Sequence, residues 1–212
     1  MDASFWHQKW ADNNIAFHNS EVNSRLVKFL PTLALAEGSR VFLPLCGKTL
    51  DIAWLRSQGY RVAGAELSPI AIEQLFAEMD VEPTISKLGE STRYSAENID
   101  IFVGDIFQLS GEMLGPVDAI YDRAALVALP REMRDRYTTH LMNLTNKAPQ
   151  LLICFDYDQA AMAGPPHSIS NEEVNEHYKD SYDLTLAESK KIPNGLKGKC
   201  EAKKNVWLLR HV

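Results

Sequence analysis

The sequence predicts an α/β fold, in which a mostly parallel sheet is covered by helices on both faces and ends in an antiparallel hairpin. Short apolar runs alternate with helical segments through the middle of the chain, and such strands are typical of parallel sheets buried on both sides. Near the C-terminus, the alternating segments YDLTLAES and NVWLLRHV indicate an edge hairpin. We expect one domain over residues 1–212, with a helical segment at 1–37, a strand–helix core at 38–160 and a C-terminal helix and hairpin at 161–212.

Two helices are predicted ahead of the first strand. Trp6 and Trp10 lie at helical spacing near the start of the chain. Ser20 can cap a second helix that runs to about Leu30, where Pro31 stops it.

The core segments then follow in alternation. VFLPL is a short buried strand, LDIAWLRSQ is a helix that ends at Gly59, and YRVAGAEL is the second strand. Ser68 and Pro69 have the residue types preferred at an N-cap and at the first helical position, so they begin the next helix. IDIFVGD, VDAIYDR and PQLLICFDYD are the remaining core strands, while residues 80–98 fit a loop or a short hairpin.

Composition and motif spacing exclude several classes of protein. The chain has 22 Lys and Arg and 28 Asp and Glu, which gives a net charge of -6. Because nucleic-acid binding relies on an excess of basic residues, we expect no nucleic-acid partner. No apolar run approaches the ~20 residues of a membrane span, and the first residues do not resemble a secretory signal. We therefore expect a cytoplasmic protein without a membrane partner. Three cysteines without a CxxC pair, and the absence of HExxH spacing, argue against a disulfide framework and a metal site.

Ligands of parallel sheets bind beyond the carboxyl ends of the strands, so the turns that follow the strands are the candidate sites. Gly47 begins a GKT sequence like the second half of a P-loop, but the first glycine of that motif would have to replace Phe42. A dinucleotide fingerprint needs three glycines, and only Gly47 is present. These departures argue against a P-loop nucleotidase and an NAD or FAD dehydrogenase.

One glycine turn and two acidic residues at the carboxyl ends of the strands remain as candidate binding groups. Glu66 follows Gly47 by 19 residues, at the end of the second strand, and Asp105 follows the third core strand. A carboxylate at Glu66 can accept both hydroxyls of a ribose, and Asp105 lies where an adenine amino group could be recognised. Since the phosphate-binding motifs are incomplete, the ligand expected here is an adenosine that carries no phosphates. S-adenosylmethionine is such a ligand. Alternatively, both acids are turn or helix caps.

Four segments resemble the thiopurine S-methyltransferase family: VFLPLCGKTLDIAWL, VAGAELS, IYDRAALVALP and, near the start, FWHQKWADNNIAFH. The similarity extends through GPP at 164–166 and covers essentially the whole chain. It implies the seven-stranded class I fold of S-adenosylmethionine-dependent methyltransferases, with S-adenosylmethionine as cofactor and S-adenosylhomocysteine as product. It also implies a donor site made of Trp6, Trp10, Phe17, Leu45, Glu66, Asp105, Ile106 and Arg123.

The resemblance further implies methylation of aromatic or heterocyclic thiols, such as thiopurines. Aromatic faces of Trp6, Trp10 and Phe17 could attract the sulfonium of the donor, and we expect segment 1–37 to act as a lid; alternatively, these aromatics belong to the core. Arg123 could position an anionic acceptor, or it could form an ion pair with Asp122 or another acid.

The expected chemistry needs no dedicated base. A thiolate and a sulfonium neutralise each other in the transition state, so excluding water favours the step, and the sequence has no GxSxG nucleophile motif. Small selenium or tellurium species are possible further acceptors. We expect a monomer with a small thiol as its partner. The alternative function is a non-catalytic sensor of an adenosyl ligand, in which the Lys-rich segment 190–204 contacts a partner instead of being a solvated loop.

Overall fold

A computed structural model describes residues 3–15 and 18–211 of the chain. Its contacts divide the chain into two compact units, Met1–Ala119 and Ile120–Val212, which we call the first and second units. Within the described ranges, no helix is both long enough and apolar enough to cross a membrane.

The first unit contains a five-stranded part of the fold with strand order β3-β4-β5-β2-β1. The pairs β1/β2 and β2/β5 are parallel, whereas β3/β4 and β4/β5 are antiparallel. Its helices and strands are α1 (Ala3–Ala11), α2 (Ser24–Phe29), β1 (Arg40–Leu43), α3 (Leu50–Ser57), β2 (Arg61–Glu66), α4 (Pro69–Glu78), β3 (Thr84–Leu88), β4 (Ser91–Ala96), β5 (Ile99–Val103) and α5 (Gly111–Leu114).

The second unit has the strand order β6-β7-β9-β8. The β6/β7 pair is parallel, and β7/β9 and β8/β9 are antiparallel, so the chain ends in the hairpin that the sequence predicts. Its helices and strands are β6 (Ala119–Arg123), which begins at the boundary, α6 (Arg131–Leu144), β7 (Gln150–Tyr157), α7 (Asn171–Tyr178), β8 (Tyr182–Lys191) and β9 (Ala202–His211).

The α/β class and the parallel core are confirmed, but the expected count of seven strands is wrong. The described residues form nine strands, because residues 80–98 contain both β3 and β4. All of β3 is exposed or half-buried, so its sequence lacks the apolar alternation by which a half-buried strand is recognised.

The cap of α4 follows the prediction, whereas the cap of α2 does not. Thr49 caps α3 and Ser68 caps α4, each with a side-chain oxygen that accepts a backbone N–H. The N-cap of α2 is Asn23 rather than Ser20. The Asn23 side chain accepts the backbone N–H of Arg25 over 2.9 Å. The backbone N–H of Asn23 donates to Oδ1 of Asp51 over 2.8 Å. A long-range partner therefore fixes where this helix begins.

The Lys-rich connection between β8 and β9 is only partly the solvated loop that its charges predict. Leu196 is buried and clusters with Tyr157 and Ala202. The Leu196 N–H donates to Cys200 O over 2.8 Å, and Lys197 Nζ donates to Pro165 O over 2.9 Å. An apolar contact and two hydrogen bonds thus give this connection a defined structure.

Candidate functional site

A tight turn connects β1 to α3 in the first unit. Leu45 and Gly47 both adopt left-handed backbone conformations, with φ of 46° and 53°. Between them, the N–H of Cys46 donates to Ala65 O over 2.9 Å. Glycine adopts positive φ without a steric penalty, whereas leucine does so rarely. The turn is therefore held close to the carboxyl end of β2.

Glu66 joins two turns through its carboxylate. Oε2 accepts the N–H of Gly47 over 2.9 Å, and Oε1 accepts the N–H of Ser68, also over 2.9 Å. The backbone oxygen of Glu66 accepts the N–H of Gly104 over 2.9 Å. The turns after β1, β2 and β5 are thus brought together around Glu66, as the order of the motifs predicts.

Burial and hydrogen bonding act in opposite directions on Glu66. Only 6% of the residue is exposed, and burial raises the pKa of the carboxyl above its ordinary value. The N–H groups of Ser68, Gly47 and Leu67, followed by the charge of His7, partly offset that rise in pKa. These contacts make Glu66 a turn cap, the alternative role open to it from the sequence.

The third turn contains Asp105 and Ile106. Asp105 is exposed, and its Oδ1 accepts the N–H of Phe107 over 3.0 Å, so it caps the short 3-10 turn Ile106–Gln108. Ile106 is buried. The Asp105 carboxylate thus lies at the solvent boundary of the turn, where its remaining lone pairs are accessible.

Trp10 packs on the glycine of the first turn. A Cβ added at Gly47 would lie 3.2 Å from Cζ2 of the Trp10 indole, and Trp10 is 3% exposed. Trp6 is half-buried and makes an edge contact with Phe5, their ring centroids lying 5.2 Å apart. Phe17 lies outside the described residues. Trp10 thus shows the core-like packing that was the alternative for these aromatics.

Close packing beneath the turn is a feature that the sequence interpretation missed. A Cβ at Gly64, in the middle of β2, would lie 2.7 Å from Cδ1 of Ile101 and 2.9 Å from Sγ of Cys46. Glycine is therefore required where Cys46 sits on the sheet. Burial, followed by the charge of Glu66, raises the pKa of the Cys46 thiol well above its ordinary value. Cys46 is a packing residue in this arrangement.

Asp122 ends the apolar part of β6 in the second unit and is fully buried. Its Oδ2 accepts the hydroxyl of Tyr137 over 2.7 Å, and its Oδ1 accepts the N–H of Leu126 over 3.1 Å. Burial raises the pKa of Asp122 to about 6, although the Tyr137 hydroxyl and the N–H groups of Leu126 and Ala125 lower it. Sequence alone could not identify Tyr137, because 15 residues separate it from its partner.

Arg123 is the last residue of β6 and is half-buried. Its expected alternative partner, Asp122, is hydrogen-bonded to Tyr137 and Leu126 instead. Over residues 3–15 and 18–211, the Arg123 guanidinium has neither a hydrogen bond nor an ion pair. The ion-pair interpretation of Arg123 is therefore wrong for the described chain, and its five donors are available to a ligand.

The chemistry of the Glu66 junction fits an adenosyl ligand. An ionised carboxylate has about four lone-pair positions, and the N–H groups of Gly47, Ser68 and Leu67 do not use all of them. The Glu66 carboxylate can therefore still accept a hydrogen bond from a hydroxyl, as binding of a ribose requires. The residues do not form a phosphate cradle, because the N–H groups of Gly47 and Ser68 already bind the Glu66 carboxylate, whose negative charge would repel a phosphate.

Comparisons with known proteins identify the family to which the chain is similar. The family model described as thiopurine S-methyltransferase matches residues 1–210. A thiopurine S-methyltransferase of Xanthobacter autotrophicus is 55% identical, over 99% of both chains, and one of Teredinibacter turnerae is 50% identical over 99% of this chain and 97% of its own.

Solved structures with a similar fold are methyltransferases. A 1,6-didemethyltoxoflavin-N1-methyltransferase of Burkholderia thailandensis, with bound S-adenosylhomocysteine, is 14% identical with a TM-score of 0.66, and the match covers 98% of this chain and 87% of that one. Magnesium protoporphyrin IX methyltransferase of Synechocystis is 13% identical with a TM-score of 0.65, over 99% and 100% of the two chains. At these identities the similarity concerns the fold alone.

Proposed function

Since the chain belongs to the thiopurine S-methyltransferase family, we propose that it methylates the sulfur of aromatic or heterocyclic thiols, with thiopurines as model substrates. Methyl transfer from S-adenosylmethionine follows from family membership. The proposal adds the chemical class of the acceptor. The observation that carries it is the family match over nearly the whole chain.

We propose that the first unit holds the donor. Glu66 accepts the ribose hydroxyls through the lone pairs that Gly47 and Ser68 leave available. Gly47 allows close approach of the ligand to the backbone. Asp105 recognises the adenine amino group, while Leu45 and Ile106 supply apolar contacts.

The aromatic residues of the N-terminal segment serve the charged part of the donor in this proposal. When bound, S-adenosylmethionine supplies an electrophilic methyl group on a positively charged sulfur. Trp6, Trp10 and Phe17 face that charge and exclude water from it. The segment acts as a lid, which requires Trp10 to leave its position on Gly47 when the donor binds.

Arg123 serves the acceptor. Its guanidinium lacks a partner in the described part of the chain and can bind an anionic thiolate or ring nitrogen with several donors. Heterocyclic thiols are more acidic than the ~8.5 of cysteine, so they lose their proton to water before transfer. Positioning then contributes most of the rate enhancement, and no side chain has to act as a base.

The test is turnover with a matched pair of acceptors. The protein is incubated with S-adenosylmethionine and either 6-mercaptopurine or hypoxanthine, which has oxygen in place of the sulfur. We expect S-adenosylhomocysteine to accumulate with 6-mercaptopurine and not with hypoxanthine. Equal turnover of both would contradict sulfur selectivity, and binding of the donor without turnover of any thiol would favour the sensor alternative.

Softer nucleophiles extend the same proposal. Selenolates and tellurolates are polarisable anions suited to the same displacement, so an aromatic selenol should also be methylated. Benzeneselenol and benzenethiol, compared in the same assay, test this extension. A monomeric, cytoplasmic enzyme stays a prediction, and light scattering on the purified protein tests the first part of it.

A further inference from the structure

The loop that follows β6 bends sharply directly after Arg123. Ala124 has a φ of 72°, in the left-handed region that residues other than glycine rarely adopt. Such a conformation persists only where the surrounding structure holds it. The next residues, Ala125 and Leu126, are both fully buried. The backbone that carries Arg123 is therefore held by contacts of the residues around Ala124.

Asp122 supplies two of those contacts. Its Oδ1 accepts the N–H of Leu126 over 3.1 Å, which closes the turn across Arg123, Ala124 and Ala125. Its Oδ2 accepts the Tyr137 hydroxyl over 2.7 Å, which ties the same carboxylate to the middle of α6. One buried carboxylate thus connects the turn to a 14-residue helix.

The direction of Arg123 follows from its neighbour. Successive side chains of a strand point to opposite faces, and the Asp122 side chain points towards Tyr137. The Arg123 side chain therefore leaves β6 on the other face. It is half-buried there and has no hydrogen bond or ion pair with any described residue. No polar contact with a described residue fixes the guanidinium, so the position of the Arg123 backbone, which the turn sets, determines the region that the guanidinium can reach.

We propose that Asp122 and Tyr137 are positioning residues for Arg123, and that their hydrogen bond sets where the guanidinium meets the thiol acceptor. This inference rests on the proposed function, in which Arg123 contacts that acceptor. Asp122 and Tyr137 do not touch the acceptor themselves, since Asp122 and Tyr137 are both fully buried. They act through the turn at residues 122–126.

The first test compares two buried hydroxyls of the second unit. Tyr137→Phe removes the donor to Asp122, and the matched control Tyr182→Phe removes a hydroxyl that donates to Ala148 O over 3.1 Å. We expect Tyr137→Phe to lower kcat/KM for 6-mercaptopurine about tenfold, with affinity for S-adenosylhomocysteine changed less than about twofold. Tyr182→Phe should leave both values near wild type. Equal effects of the two substitutions on kcat/KM would overturn the proposal.

A double-mutant cycle then asks whether Tyr137 acts through Arg123. If it does, Tyr137→Phe combined with Arg123→Lys should lose little more than Arg123→Lys alone, because the shared function is already lost. Additive losses would show that Tyr137 acts independently and would overturn the proposal. Calorimetric binding of 6-mercaptopurine to the S-adenosylhomocysteine complex gives the same cycle without turnover.

Hydrogen exchange tests the mechanism without any acceptor. Tyr137→Phe should speed exchange in peptides that contain Leu126, while Tyr182→Phe should not; unchanged exchange there would contradict the positioning mechanism. If Tyr137→Phe does not fold, Asp122→Asn replaces it. Its amide oxygen can still accept the N–H of Leu126, so we expect a smaller loss of kcat/KM than for Tyr137→Phe.

The failure of this inference can be told from the failure of the proposed function. A wild-type protein that methylates no thiol refutes the proposed function, whereas an active wild type with an unaffected Tyr137→Phe variant refutes only this inference.

Discussion

The backbone N–H of Gly47 donates a hydrogen bond of 2.9 Å to the Glu66 carboxylate, although 19 residues separate them. This bond joins the turn after β1 to the end of β2. Glu66 therefore has a structural role and, in our proposal, a second role towards the ribose of the donor. The two roles can be separated by comparing substitutions.

Glu66→Ala should weaken binding of S-adenosylhomocysteine by ~1.5–3 kcal/mol, because the ribose hydroxyls lose a charged acceptor. Glu66→Gln keeps one acceptor oxygen and the length of the side chain, so its loss should be smaller, although its NH2 group would face the N–H of Gly47 or of Ser68. Calorimetric titration measures both. Unchanged affinity in a folded Glu66→Ala variant would remove Glu66 from the donor site.

Gly47→Ala tests the contact with Trp10. The added Cβ would lie 3.2 Å from the indole, at a φ of 53°. Gly89→Ala is matched in backbone strain, since its φ is 59°, but its Cβ meets nothing within 4 Å. We expect both variants to lose ~1 kcal/mol of unfolding free energy from the backbone. Gly47→Ala should lose more unfolding free energy than Gly89→Ala. Equal losses in urea denaturation would mean that the Trp10 side chain moves away from the added Cβ without cost.

The lid proposal predicts slower hydrogen exchange in residues 3–15 when S-adenosylhomocysteine binds. Helix α7 (Asn171–Tyr178) in the second unit serves as an internal reference, whose exchange should change little. Complete protection of α1 before ligand is added would assign Trp10 to the permanent core and contradict a moving lid.

Much of the fold and of the turns around Glu66 could be predicted from the sequence. Ser68 caps its helix as its residue type indicates, and Gly47, Glu66 and Gly104 meet because the carboxyl ends of neighbouring parallel strands share one edge. Local residue preferences and the order of the strands suffice for these features.

Features that depend on contacts distant in sequence could not be predicted. Asn23 caps α2 with the help of Asp51, and Asp122 pairs with Tyr137 rather than with its neighbour Arg123. For residues 80–98 the sequence left a loop and a short hairpin open, and the structure shows the hairpin β3/β4. The sequence could not decide between them, since all residues of β3 are exposed or half-buried and no apolar pattern marks the strand.

Arg123→Lys should lower kcat/KM for an acidic heterocyclic thiol about tenfold or more, an effect of ~1.4 kcal/mol or greater, because lysine keeps the charge but loses the planar fork. Affinity for S-adenosylhomocysteine should change less. Kinetics with the acceptor and calorimetry with S-adenosylhomocysteine, on the same variant, decide whether Arg123 serves the acceptor or the donor. Equal losses in both would assign Arg123 to the donor, and no loss in either would leave it without a functional role.

Stability should depend on pH through Asp122. Its pKa rises from 3.8 to about 6 on folding, so the folded state holds the proton more tightly. The resulting stabilisation is complete below about pH 4 and is lost as pH rises through about 6, a change of ~3 kcal/mol. Asp122→Asn does not titrate. Its unfolding free energy relative to wild type should therefore increase between pH 4 and pH 7 in urea denaturation, and a constant difference would contradict the shift.

The position of the transferred methyl group tests the proposed function most directly. Wild-type protein is incubated with 6-mercaptopurine and S-adenosylmethionine that carries a ¹³C-labelled methyl group, and the product is examined by NMR. A thiol methyltransferase places the label on the sulfur of 6-mercaptopurine. Label on a ring nitrogen, or no transfer by protein that binds the donor, would contradict the proposed function.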